Sequence, residues 1–375
     1  MRARQAVRLK FVFSLAALLV ACAGGGEGRP PEGSGARAVD GLRVETLAEG
    51  LDTPWELAFV PDGRILVTER PGTIRSLESG ELREKPYSEL PAEEAGEGGQ
   101  LGLALDPIFE ENGRLYAYYT TTEGDEPVNR IVRLVEEEGE VREDGVLLEA
   151  PAAPIHNGGR LAVGPDGKLY ATLGDVSEDS LAQQRDALSG KIVRLELDGS
   201  VPEDNPFDDS PVYSYGHRNP QGLAWDADGN LYVPEHGPTG NDELNLVRPG
   251  ENYGWPEVSG EAGEEADFVD PVLESGQETW APSGAAYVSE GPWTGSVLFA
   301  GLRGQALHRV TFAEEPAQIE EHEEYLKGEY GRLRTVTQGP DGALYALTSN
   351  RDGRGSPEPQ DDRLLRITVL GEDGS

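Results

Sequence analysis

Five histidines occur in the 375 residues, and only His156 is followed by Asn-Gly-Gly, a run that lets backbone approach closely. An imidazole there can act as a general base at neutral pH. Alone it reads as structural; a place in one ring with Gln100 and Arg218 turns the reading to catalysis. Three arginines stand in two short phrases, Arg218 beside Asn219 in YGHRN and Arg332 with Arg334 in GRLR. Guanidinium grips carboxylates and phosphates bidentately, so a shared site implies an anionic ligand. The plain alternative is that these arginines pair with the chain's many carboxylates. A third stretch, EHGPTGNDELN at 235–245 followed by NYGW at 252–255, is dense in hard oxygen donors within a Gly-rich loop. That chemistry suits Ca²⁺ rather than zinc, although the spacing is not that of an EF-hand. The alternative there is an acidic, turn-rich surface loop, and the run 314–324 reads as a solvated surface segment.

The elements that must position these residues recur along the chain. An apolar strand, an Asp-Gly or similar turn and a second strand appear as LAFVPDGRILVTE (57–69), LALDPIFEENGRLYAYY (103–119) and LAVGPDGKLYATLG (161–174). They return as LAWDADGNLYVPEHG (223–237), a degraded AYVSEGPWTGSVLFAG (286–301) and VTQGPDGALYALTS (336–349). Asp-Gly between alternating apolar runs is a strong hairpin signal. A third-strand phrase follows each: TIRSL, RIVRLV, KIVRLEL, ELNLVR, ALHRVTF and RLLRITV. Six units of about 56 residues predict an all-β, six-bladed β-propeller over 41–371. The strand at 42–47 is expected to pair with the last blade and close the ring. In such a ring the segments ahead of each inner strand surround one channel mouth. Gln100, His156, Arg218, Asn219, Trp280, Arg332 and Arg334 should therefore converge. Trp255 and Trp280 could stack on a bound ring, but propeller tryptophans more often pack.

Composition sets the class. Lys and Arg total 32 against 69 Asp and Glu, a net charge of −37, which argues against nucleic acid as partner. The single cysteine excludes a disulfide framework. Arg2, Arg4, Arg8 and Lys10 precede a short apolar run ending LVAC, which reads as a lipoprotein signal over 1–21. Cys22 would then carry the lipid, the chain's one membrane contact, and 22–40 would be a flexible tether. An ordinary cleaved signal is the alternative; in both cases the protein is exported.

Taken together, GGQLGLALDP, HNGGRLAVGPDGKLYATLGD, YGHRNPQGLAWD, EHGPTGNDELN, ENYGWP and GRLRTVTQGPDG resemble the glucose/sorbosone dehydrogenase family, soluble aldose sugar dehydrogenases that use pyrroloquinoline quinone. The resemblance covers about 98–350 and implies a quinone over the channel with calcium beside it. It implies that His156 is the catalytic base and that Gln100, Arg218, Asn219, Arg332 and Arg334 contact the quinone. Gly237 and Pro238 fall where main-chain oxygens hold that calcium, and Glu243 and Tyr253 match calcium positions, at a further site. Arg303 in GLRG stands where many members carry a lysine facing the quinone. Ile155 stands where some members place an aspartate, so what orients His156 is open.

The resemblance implies oxidation of an aldose at its anomeric carbon to a lactone, with electrons passing to an extracytoplasmic acceptor. Two rivals stand beside it. One is a calcium-dependent lactone hydrolase, which needs no quinone and no arginine ring. The other is a non-catalytic lipoprotein propeller that binds sugars or proteins.

Overall fold

A computed structural model describes residues 36–370 apart from 264–266 and 314–316. The expected signal, the lipid-bearing Cys22 and most of the tether lie outside the described residues, as does residue 371. Six antiparallel sheets follow one another along the chain. Blade 1 runs from Pro54–Phe59 through Ile65–Glu69 and Thr73–Glu78 to short outer strands. Blade 2 holds Gln100–Leu105, Arg114–Glu123, Glu126–Glu137 and Glu140–Pro151. The inner strands of blades 3, 4 and 5 are Leu161–Val163, Ala224–Trp225 and Pro282–Tyr287. Blade 6 is Leu333–Gln338, Leu344–Thr348 and Leu364–Val369, completed by Leu42–Ala48 from the start of the chain.

That last pairing, with Leu42 opposite Val369 and Thr46 opposite Leu365, closes the ring as the sequence predicts. Six apolar clusters lie between successive blades. Leu101, Tyr116, Leu161 and Leu169 join blades 2 and 3, for example, and Ala48, Leu57, Tyr345 and Leu364 join blades 6 and 1. Each sheet is thus buried on both faces by its neighbours, which is why its strands read as apolar runs. One boundary differs from expectation. Arg37–Val39 pairs with Leu42–Val44 through a turn at Asp40 and Gly41, both at positive φ, so the end of the 22–40 segment is strand rather than tether.

The channel itself is plugged. Arg160 of blade 3 is buried and pairs with Glu56 of blade 1, donates to the Gln221 carbonyl of blade 4 and lies 4.0 Å over the Trp55 ring.

Candidate active site

In an antiparallel blade the start of the inner strand and the end of its partner share one edge of the sheet. The mouth is therefore lined by two loop sets, and the repeat pattern by itself points only to the first, while the 235–245 stretch and Arg303 of the second stood out on composition and resemblance. The second set brings Arg70, Asp175, Glu235–Gly237, Arg303 and the 349–362 loop to the same place.

His156 precedes the inner strand of blade 3 with its backbone at φ +61. Its Nδ1 is 2.7 Å from Asp175 Oδ1, and Asp175 follows the second strand of the same blade. Asp175 is fully buried. It accepts the Ser177 N–H at 2.8 Å and, on its other oxygen, the Trp255 indole N–H at 2.8 Å. Burial pushes its carboxyl up, but the bonds and charge from His156, with Ser177 and Trp255, hold it below the ordinary range. With Nδ1–H bound to a carboxylate, Nε2 is left as the basic nitrogen. Asp175 therefore orients His156, and the phrase LGD carried the only sequence signal for it. Two glycines make the approach possible. A Cβ on Gly174 would stand 2.0 Å from the His156 carbonyl oxygen, and one on Gly158 would stand 2.4 Å from that of Thr172.

Arg218 and Asn219 reach the mouth from blade 4. Asn219 Oδ1 accepts the Gly158 N–H at 3.1 Å, and its Nδ2 has no partner. Arg218 Nη1 donates to the Gly237 carbonyl at 2.7 Å, its guanidinium lies 5.2 Å over Trp255, and its Nε is buried without a partner. His217 is buried below, bridging Ser214 and Glu235, and it stacks on Tyr253.

Arg332 and Arg334 reach the mouth differently from the expectation of free cations. Asp352 binds Arg332 Nε and Nη2 at 2.9 and 2.7 Å and lies 3.7 Å from Arg334. Arg332 is thus paired with a carboxylate through Nε and Nη2. Arg334 keeps an unpartnered Nε and is pushed down to about 9 by burial, with Asp352 opposing. Arg303 is exposed at the mouth on blade 5. Gln100 is fully buried, with both amide atoms unpartnered. Glu97, three residues earlier, lines a small cavity together with Arg70, Arg334, Asp352 and Arg354. His236 lines it too, its Nε2 unpartnered and its pKa pushed down to about 4 by burial. Trp280 packs against Phe299 and His308 in blade 5, so it is a core residue.

Unpartnered Arg218 Nε, Asn219 Nδ2, Arg334 Nε and His236 Nε2 are what a ligand rich in carbonyl and carboxylate oxygen would satisfy. The donor set fits the quinone. The calcium positions divide. The Gly237 carbonyl is held by Arg218, and Asp242 shapes the loop by accepting from Gly237, Trp280 and Ala281 N–H, so an ion at Gly237 and exposed Pro238 must share or displace that guanidinium. The Tyr253 hydroxyl is spent on Leu246 and Arg248, which leaves only its carbonyl for a metal. Glu243 is pushed up to about 8 by burial and then by nearby Glu235, and the buried Asn245 Oδ1 beside them has no partner. A cation would relieve both. Among the described residues no three His, Cys, Asp or Glu side chains form a metal cluster by themselves.

Residues 51–366 match the Glucose / Sorbosone dehydrogenase family model. The aldose sugar dehydrogenase YliI of Escherichia coli is 32% identical over 83% of this chain and 91% of its own length. The PQQ-bound aldose sugar dehydrogenase of Streptomyces coelicolor superposes with a TM-score of 0.79 at 42% identity, covering 88% of this chain and 99% of that one. A Thermus thermophilus protein described as an oxidoreductase (glucose dehydrogenase) superposes at 0.81 with 47% identity, over 87% of this chain and all of that one.

Proposed function

The chain belongs to the glucose/sorbosone dehydrogenase family, and on that footing we propose that it is a pyrroloquinoline-quinone-dependent enzyme that oxidises aldose sugars at the anomeric carbon to lactones. The observation that carries this reading is the His156–Asp175 pair beside a row of buried donors that lack acceptors. His156 Nε2 takes the proton of the C1 hydroxyl. Asp175 fixes the tautomer that makes this possible and stabilises the imidazolium that forms. When bound, the quinone supplies the acceptor for the hydride that leaves C1, so the sugar loses one hydride and one proton and becomes the lactone. Arg218 Nε, Asn219 Nδ2 and Arg334 Nε would hold its oxygens and favour negative charge on them. Arg303 stands exposed at the rim, where a cation would meet a carboxylate. Gly237 and Pro238 carbonyls would hold calcium beside it, and Glu243 with the Tyr253 carbonyl a further ion. Export through the 1–21 signal, anchoring at Cys22 and an acceptor outside the cytoplasm complete the proposal; Cys22→Ser should release the protein from membranes.

The test is to purify the chain without residues 1–22, add quinone and Ca²⁺, and follow dye reduction with several aldoses. Activity that needs both additions supports the reading. No quinone binding at all sinks it and moves lactone hydrolysis to first place.

A further inference from the structure

Arg354 stands on the loop after the second strand of blade 6, with its side chain 55% exposed. Its Nη1 donates to Glu97 Oε1 at 2.6 Å. Glu97 belongs to the loop ahead of blade 2, and its other oxygen accepts the backbone N–H of His156 at 2.9 Å. The pair joins two loops 257 residues apart, and both side chains line a cavity of about 30 Å³ with Arg334, Asp352 and His236. That volume is on the order of one water molecule, so an aromatic tricycle cannot lie beneath the closed pair.

Arg70 and Arg334 also line this cavity, and both already have protein partners. Arg70 donates to the Gly96 and Gly98 carbonyls, and Arg334 donates to Gln221 and lies 3.7 Å from Asp352, with only its Nε left unpartnered. Arg354 is held by one carboxylate contact, its own side chain half exposed and that of Glu97 19% exposed, which makes it the least enclosed of the three. Its backbone is meanwhile fixed, because its N–H donates to Asp352 Oδ1 at 2.9 Å. A planar fork is thus aimed at the cavity from an anchored position, with a carboxylate already showing where an anionic group would dock.

We propose that Arg354 is a quinone-binding residue, which takes a carboxylate of the quinone in exchange for Glu97, while Glu97 keeps its bond to the His156 N–H. The inference rests on the quinone-dependent reading. It assigns Glu97 two jobs, placeholder on Arg354 in the free protein and positioning residue for His156 throughout.

The experiment is an equilibrium titration of the purified protein with pyrroloquinoline quinone, without sugar, read by tryptophan quenching. Arg354→Ala should weaken binding about tenfold and Arg354→Lys several-fold, because the fork is lost while the charge stays. Glu97→Gln should tighten binding by removing a carboxylate that competes. The decisive arm is Arg354→Ala in the Glu97→Gln background, where the tenfold loss should persist. If it vanishes there, Arg354 acts only by neutralising Glu97 and the proposal is overturned. Equal affinity of wild type and Arg354→Ala overturns it as well, with the quinone reading intact. A wild-type protein that binds no quinone removes both.

Discussion

Asp175→Asn isolates the part of the site that the sequence leaves open. The carboxylate is fully buried and lies 2.7 Å from His156 Nδ1. A hydrogen bond to a charged group is worth about 1.5–3 kcal/mol. At about 1.4 kcal/mol per decade of rate, loss of that bond as the imidazolium forms slows turnover roughly 10- to 150-fold. The amide adds a second effect, since its NH2 can face Nδ1 and leave the proton on Nε2. In buried Asp–His pairs of proteases the wrong tautomer brings the loss to about 10⁴-fold. The expected result is a kcat lower by about 10²–10⁴ with KM and quinone affinity within about threefold. Single-turnover reduction of the loaded enzyme, followed by the quinone spectrum, reads the chemical step, and the quinone titration reports whether the mouth is intact. A kcat within threefold of wild type refutes the orienting role. An equal collapse of quinone affinity would show that Asp175, which also holds Ser177 and Trp255, shapes the pocket instead.

His156→Ala should still bind quinone yet lose about 10²–10⁴ in kcat; near-normal turnover in the same dye assay would reject it as base. Glu243, pushed up to about 8, carries a proton in the folded state at pH values where the unfolded chain has lost it. Stability of the metal-free protein should therefore fall as pH rises from about 4.5 to 8, and Glu243→Gln should flatten that slope in thermal melts. Ca²⁺ should raise Tm by at least about 2 °C at pH 8 and less at pH 5; an equal effect at both would count against Glu243 as a ligand. In the channel plug, Arg160→Met or Glu56→Gln alone should cost about 3–5 kcal/mol in urea unfolding, and the double variant less than either single one. Additive losses would show that the two charges are not coupled.

The fold was legible because it is repeated. Six hairpin phrases, each with a third strand at a similar offset, state local rules that the sheets obey, and a single strand at 42–47 suffices to close the ring. Arg37–Val39 was missed because its two-residue turn lies in a segment whose composition reads as linker. For the site, the linear chain already decides which residue types come near one another. Its phrases are local, and the inner strand of each blade carries them to one mouth. What it leaves undetermined is which charges are already spent. Asp352 is 20 residues from Arg332, Asp175 is 19 from His156, and Arg354 is 257 from Glu97. These partners arrive on the second loop set, the first two across the hairpin of their own blade and the third from a different blade. The hairpins of blades 3 and 6 set the first two distances and ring closure sets the third, and in a buried mouth those distances decide whether an arginine is a free cation or half of an ion pair.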